Sequence, residues 1–472
     1  MAPTRIGLFS SGLVMVATTG LGVAAPAARP SQEATAGASA DEDAALFVSA
    51  GKVIVRPGHV LEDAQVRIER GRIVAVGTDL EAPPGARRIE GEVVCAGFFD
   101  AWTTLGVTHR SANDRGTTAA TRTVDGFDPF TNDHLRLDAL RAGVVVARVH
   151  AGMTAPIGGI GSVVRLAPGL PRESVVLLED ADVQASVGLS AEGKTMDVFD
   201  RLQGVSELAS HIEAGAKYRR DQREYERALA EWQEAIAEKE KELQDDFKKA
   251  KKDREEDLAE AEEKGREFKE KRYKEDRKPR RPRFDADKEV FARLAEGEVP
   301  LVVQVHRAAE LRDLLRLTEG MDRLRIILIG ATQAVHLAAD LAERRVPVVV
   351  WPAPLGEGEV DEWRGHDLAL AGRLAEAGVQ VLFGSGGRAE ATRDLPLFAA
   401  LAVGHGFDRE SAFEALTIGA ARALDLGDQL GTLERGKDAD LLVLTGEPLD
   451  TTTRVRFVVS AGRVVLEPED AP

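Results

Sequence analysis

Between residues 144 and 424 the chain alternates short β-branched runs with segments of helical period, and this alternation constrains the fold more than any other feature. Val144-Val145-Val146-Ala147-Arg148-Val149, Pro300-Leu301-Val302-Val303, Arg325-Ile326-Ile327-Leu328-Ile329, Pro347-Val348-Val349-Val350 and Val379-Gln380-Val381-Leu382-Phe383 read as strands. Residues 308–317, 333–344, 367–377 and 409–424 read as helices. Strand and helix in alternation specify a parallel sheet with crossover helices. Two β-rich segments flank this region. The first holds the runs 46–48, 52–55, 65–68 and 72–76, broken at Gly51, Pro57-Gly58 and Gly71. The second holds 439–444, 455–459 and 463–465, with a turn at Gly462. A length of 472 residues accommodates a (β/α)8 barrel of about 250 residues and a smaller domain.

A hydrophobic fraction of 43% is globular, and a net charge of -17 argues against a nucleic-acid partner. Arg5, an apolar stretch over 6–23 and Ala25-Pro26-Ala27 read as a signal peptide over 1–27. The polar residues Ser10, Ser11, Thr18 and Thr19 weaken the competing reading of a membrane anchor. The expected localisation is therefore exported, periplasmic or secreted, with no stable span after cleavage. Residues 28–44 read as a linker. Cys95 is the only cysteine, so no intrachain disulfide forms.

Residues 217–285 break the alternation with a run saturated in charge. Tyr225, Leu229, Trp232, Ile236, Leu243 and Phe247 follow a coiled-coil a/d spacing, so a long helix or a helical hairpin is expected to project there. A single solvated helix held by charge pairs is the competing reading. Lys278-Pro279-Arg280-Arg281-Pro282 ends it.

The stretch Ala96-Gly97-Phe98-Phe99-Asp100-Ala101-Trp102-Thr103-Thr104-Leu105-Gly106 is an apolar strand with a glycine break. Side chains two apart point the same way in a strand, which is the spacing a His-x-His pair uses to hold one metal. Here that spacing carries Trp102 and Thr104. An indole only donates a hydrogen bond, and a threonine hydroxyl is not a normal zinc ligand. The remaining histidines, His59, His109, His134, His150, His211, His336, His366 and His405 beside His306, show no metal-binding spacing. His150 and His306 both end strand-like runs and either approach one another or are separate, satisfied histidines. Ser385 lacks a nucleophile elbow. Gly158-Gly159-Ile160-Gly161 is expected to form a glycine-rich loop over the barrel mouth, since no helix follows it to cradle a phosphate.

The stretches 66–77 and Gly431-Thr432-Leu433-Glu434-Arg435-Gly436-Lys437-Asp438-Ala439-Asp440-Leu441 resemble the N-terminal hairpin and C-terminal signature of the amidohydrolase superfamily, nearest its imidazolonepropionase-like branch. The resemblance implies a TIM-like barrel over 96–424 and a small composite β-sandwich from 45–95 and 425–468, with the charged segment inserted in the barrel. It also implies a zinc site, and the implied ligand positions fall on Trp102, Thr104, Gln304, Gly330 and Gly386, with His306 as a weak remaining candidate. Gly158, Gly159 and Gly161 match the family's pocket loop. The expectation is an exported binding or scaffolding protein that has lost the hydrolase site, a pseudoenzyme without cofactor. The alternative is an active hydrolase of non-peptide carbon–nitrogen bonds, with zinc, using an unconventional site. The partner is a small molecule or a protein, and relatives commonly form homo-oligomers.

Overall fold

The computed structural model describes residues 45–107, 119–130, 133–151, 157–187, 198–264, 277–352 and 367–468. The expected signal peptide, the linker, His109 and His366 lie outside them. No helix among the described residues is long and apolar enough to cross a membrane.

Two sheets organise the chain. Strands β1 (Leu46–Arg56), β2 (His59–Glu69), β3 (Arg72–Gly77) and β4 (Arg87–Ala96) join β13 (Leu441–Leu444), β14 (Val455–Ser460) and β15 (Arg463–Leu466) in one seven-stranded sheet. Its order is β15-β14-β13-β4-β1-β2-β3, so the two β-rich chain ends are hydrogen-bonded neighbours through β4 and β13. Period-two alternation splits these two strands between two cores. Val94, Ala96, Leu441 and Val443 pack within the sheet's own core, while Val93, Cys95, Leu442 and Leu444 join the barrel core.

The second sheet has eight strands in chain order: β5 (Phe98–Thr103), β6 (Val144–Val149), β7 (Ile157–Arg165), β8 (Val176–Ser186), β9 (Leu301–Val305), β10 (Ile326–Gly330), β11 (Val348–Val350) and β12 (Val381–Phe383). It curls into a nearly closed barrel, because the Ser385 and Gly387 amides, just past β12, both donate to the Trp102 carbonyl of β5 at 3.1 Å. The barrel is mixed. β7 runs antiparallel to both β6 and β8, and the other ladders are parallel. The cause is chain length: the link from β6 to β7 is too short for the dozen or more residues that a parallel crossover requires.

This corrects the expected glycine loop, since Gly158, Gly159 and Gly161 are buried within strand β7. Close approach explains the glycines instead. A Cβ on Gly159, whose φ is +85°, would lie 2.4 Å from the Thr121 carbonyl, and one on Gly161 would lie 2.6 Å from the Asp182 carboxylate.

The helices α1 (Asp133–Arg141), α2 (Arg172–Val175), α3 (Val198–Lys264), α4 (Ala286–Ala295), α5 (Ala308–Leu317) and α6 (Ala338–Glu343) precede those at Leu370–Glu376, Leu395–Gly404, Arg409–Leu416 and Ile418–Ala423. The expected helix at 409–424 breaks at Thr417, whose ψ of -106° is not helical.

A single 67-residue helix, α3, starts well before residue 217 and carries the charged segment as far as Lys264. Its first part belongs to the barrel: Val205, Leu208, Ile212 and Tyr218 are buried, and His211 stacks on Phe291 of α4 at 5.1 Å. Arg219 pairs with Glu289 at 3.1 Å and Arg223 with Glu296 at 2.9 Å, which fixes α3 along α4. Beyond these pairs, Tyr225, Leu229, Trp232 and Ile236 are half-buried. Among the described residues no second long helix closes that seam into a coiled coil. The returning segment lies against it instead, with the Lys278 ammonium 5.8 Å from the Trp232 ring centre and Asp285 capping α4 through the Lys288 amide.

Candidate functional site

The carboxyl ends of β5, β9, β10 and β12 carry the residues expected at the barrel mouth. On β5 every side chain is buried, and Asp100 and Trp102 share one face of the strand. The Asp100 carboxylate is fully enclosed, and its Oδ1 accepts from the Trp102 amide at 2.9 Å and the Ser385 amide at 3.1 Å. Burial pushes its pKa up to about 6, against these two backbone donors, which favour the charged form. Beside it the Thr103 and Thr392 hydroxyls meet at 2.8 Å, and the Ser385 hydroxyl donates to the Trp102 carbonyl at 3.1 Å. Ser385 is fully buried in the barrel seam, with its hydroxyl held there.

Close contacts surround the glycines at and beside the expected ligand position on the last strand. A Cβ on Gly384 would lie 2.6 Å from the Trp102 Cβ, and one on Gly386 would lie 2.5 Å from the Trp351 indole. Gly386 and Gly387 have φ of +75° and +68°, the left-handed region that glycine adopts without strain. Thr104 is committed to the seam, with its hydroxyl donating to the Gly387 carbonyl at 3.0 Å. Trp351, in turn, meets Phe398 edge-on at 6.4 Å.

Gln304 is half-buried on β9 and pairs in register with Ser186 of β8. His306 lies just past β9, its ring against Gly330: a Cβ there would be 2.5 Å from His306 Cε1, and the φ of +77° also calls for glycine. Burial lowers the His306 pKa to about 4, so the imidazole is neutral near neutral pH. His150, just past β6, is buried against Gly387, and its pKa is held well below the ordinary value by burial and then by the Arg148 charge. Each histidine thus sits against its own glycine. Among the described residues, no group of three His, Cys, Asp or Glu side chains is placed to hold a metal ion.

Two features escaped the sequence reading. Asp100 is the one acid in the buried strand β5. Arg148 of β6 and Asp182 of β8, both buried, form a two-point ion pair at 2.7 and 2.5 Å, and Arg148 also donates to Gln184 at 2.7 Å. Strand pairing through β7 brings them together, so no local pattern marks them.

The titratable groups at the barrel mouth set opposing pH dependences. Asp100 has a raised pKa, so its contribution to stability is full below about pH 4 and is lost as pH rises through about 6. His306 has a lowered pKa, so its contribution is full above about 6.5 and is lost as pH falls through about 4, and His150 acts in the same direction. Asp100 and His306 are each expected to contribute about 3 kcal/mol to this balance. Acidification from pH 7 to 4 should therefore destabilise the wild type, and Asp100→Asn should make the loss steeper, as read by urea midpoints across pH. An unchanged slope in Asp100→Asn would refute the assignment.

The amidohydrolase family model matches residues 295–465. A search of curated proteins finds no match. Among solved structures, an amidohydrolase from Thermotoga maritima superposes with a TM-score of 0.69 at 22% identity, covering 90% of this chain and 100% of its own. Ochratoxinase from A. niger superposes with a TM-score of 0.52 at 15% identity, over 92% of this chain and 99% of its own. A prolidase complexed with N-methylphosphonate-L-proline gives 0.52 at 16% identity, over 90% and 100%. At these identities the likeness is one of fold. The chain therefore has the amidohydrolase fold and carries that family's sequence pattern over residues 295–465.

Proposed function

We propose that this protein is an exported binding protein on an amidohydrolase frame of the imidazolonepropionase-like type, with the barrel mouth serving to hold a small molecule and not to hydrolyse one through a metal. The packing at the ends of β5 and β12 carries this reading. Where the resemblance calls for ligands, the Trp351 indole lies on Gly386, the Trp102 indole lies against Gly387, and the Thr104 hydroxyl is spent on the Gly387 carbonyl. A catalytic zinc takes about three protein donors drawn from histidine, cysteine and carboxylate. The residues at hand are an indole, a committed hydroxyl, an amide and two glycines. They do not fit a zinc ion. His306, neutral near neutral pH and half-buried, is one imidazole without companions at these positions.

The test is elemental analysis of the purified protein together with an assay for amide or cyclic imide hydrolysis with and without chelator. The expected result is zinc well below one per chain and no chelator-sensitive turnover. Trp102→His with Thr104→His should not restore it, because Gly386 supplies no carboxylate. Stoichiometric metal, or chelator-sensitive turnover that disappears in His306→Ala, would promote the active-hydrolase alternative. Export predicts that the mature chain begins near residue 28 when recovered from its host.

A further inference from the structure

A cavity of about 300 Å³ opens between the barrel and the sheet made by the chain ends. Phe98 opens β5 and Ala142 lies just before β6, so the cavity is at the amino ends of the barrel strands, away from the mouth. Its volume is within the range of small-ligand sites, which favour such boundaries between domains. The lining is apolar where Phe98, Leu444 and Leu449 meet, and it reaches the surface at Leu397, which is 48% exposed.

Two observations set this cavity apart. In a chain of net charge -17, it is lined by Arg141, Arg393 and Arg454 against one carboxylate, Asp450. Asp450 is already paired with Arg409 at 2.5 Å, and Arg141 meets Asp138 at 3.3 Å. Arg393 reaches Asp138 and Asp394 only at 3.6 and 3.8 Å, beyond hydrogen-bond length. Arg454 donates to the Thr451 and Thr453 carbonyls, both at 3.2 Å, and to no carboxylate among the described residues. Arg393 and Arg454 thus keep charge and donors for an added acceptor. The second observation is Leu449, whose φ of +69° is a conformation that a bulky side chain rarely adopts. Neighbouring bonds hold it there, from Arg409 to the Pro448 carbonyl at 2.9 Å and from the Thr453 hydroxyl to the Glu447 carbonyl at 2.8 Å. Strain of this kind persists only where the surroundings fix it, so this wall of the cavity is preformed.

We propose that the cavity binds a small amphipathic carboxylate, an aliphatic or aromatic acid whose apolar body lies against Phe98, Leu397 and Leu449 and whose charged end is held at the arginine rim. Guanidinium matches a planar carboxylate in two-point contact, and the single charge suits a rim only partly neutralised by its own acids. A cation is repelled there. A neutral apolar molecule forgoes the arginines, and a small inorganic anion leaves the apolar lining uncovered. The site is separate from the barrel mouth, so its failure would leave the function proposed for the mouth untouched.

The test is calorimetric titration of the full-length protein with octanoate and benzoate, with octan-1-ol, octylamine and acetate as controls. Octanoate and benzoate should each saturate one site per chain, and every control should bind at least about tenfold more weakly. Arg393 and Arg454 are exposed, so Arg393→Gln and Arg454→Gln are expected to fold, and each should weaken octanoate about tenfold, the loss of one charge-assisted contact. Ala400→Leu, which fills the cavity without altering a charge, should weaken it as well. Absence of saturable binding by both acids would overturn the proposal. So would equal binding of octan-1-ol or acetate, or octanoate binding unchanged in both arginine variants or in Ala400→Leu.

Discussion

Replacing Asp182 with alanine is expected to lower unfolding stability by about 3–5 kcal/mol, because it leaves the Arg148 guanidinium buried without its counter-charge. The pair is 1% and 0% exposed, so water cannot take over the lost contacts. The shift should appear as a lower urea midpoint with an unchanged slope. The cause is separable from lost packing: Arg148→Met combined with Asp182→Leu removes both charges and should recover most of the stability. If Asp182→Ala costs under about 1 kcal/mol, the value of an exposed pair, the enclosed geometry is wrong. Gly161 is coupled to the same pair, since a methyl there would press on the Asp182 carboxylate.

The second large effect is expected at Arg165, the last residue of β7, which ties the barrel to the sheet made by the chain ends. Its Nε donates to Asp440 at 3.0 Å, its Nη2 to Asp438 at 2.6 Å and its Nη1 to the Ser174 carbonyl at 2.7 Å. Asp440 also accepts from the Ser460 hydroxyl at 2.8 Å and the Ala461 amide at 2.9 Å, so its carboxylate joins three parts of the chain. Arg165→Ala should cost about 3–5 kcal/mol in urea unfolding, as it leaves the Asp440 carboxylate buried and short of its cation. Arg165→Lys should recover only part of this, since an ammonium keeps the charge but loses the planar fork. Full recovery by lysine would show that charge alone matters and the fork does not.

That clamp gives the C-terminal signature a physical meaning. Asp438-Ala439-Asp440 was legible as a pattern, and in the structure its two carboxylates hold Arg165. The barrel strands were legible too: 144–149 coincides with β6 and the run at 325–329 with all but the last residue of β10. Apolar β-branched runs reveal themselves because a strand buried on both faces needs no alternation. The long helix was visible in its charged part, yet its start was not. Val205, Leu208 and Ile212 pack on the barrel, so that part carries the mixed composition of an ordinary core helix and not the signature of a projection.

At the mouth, the substitutions at Trp102, Thr104, Gln304, Gly330 and Gly386 could be read from the chain once the flanking signatures fixed their positions. What stands in the space could not. Trp351 on Gly386, Trp102 on Gly384 and His150 on Gly387 are contacts between strands far apart in sequence. The same holds for β7, where Gly159 and Gly161 each accommodate a neighbour absent from their own stretch of chain.

The sequence by itself determined the alternating barrel pattern, the β-rich chain ends and the absence of histidines at the implied ligand positions, because period, composition and residue identity are local properties. Only the tertiary structure decided the reversed strand, the buried Arg148–Asp182 pair and the convergence of Trp102 and His150 on Gly387, because each depends on which backbone approaches which across the barrel.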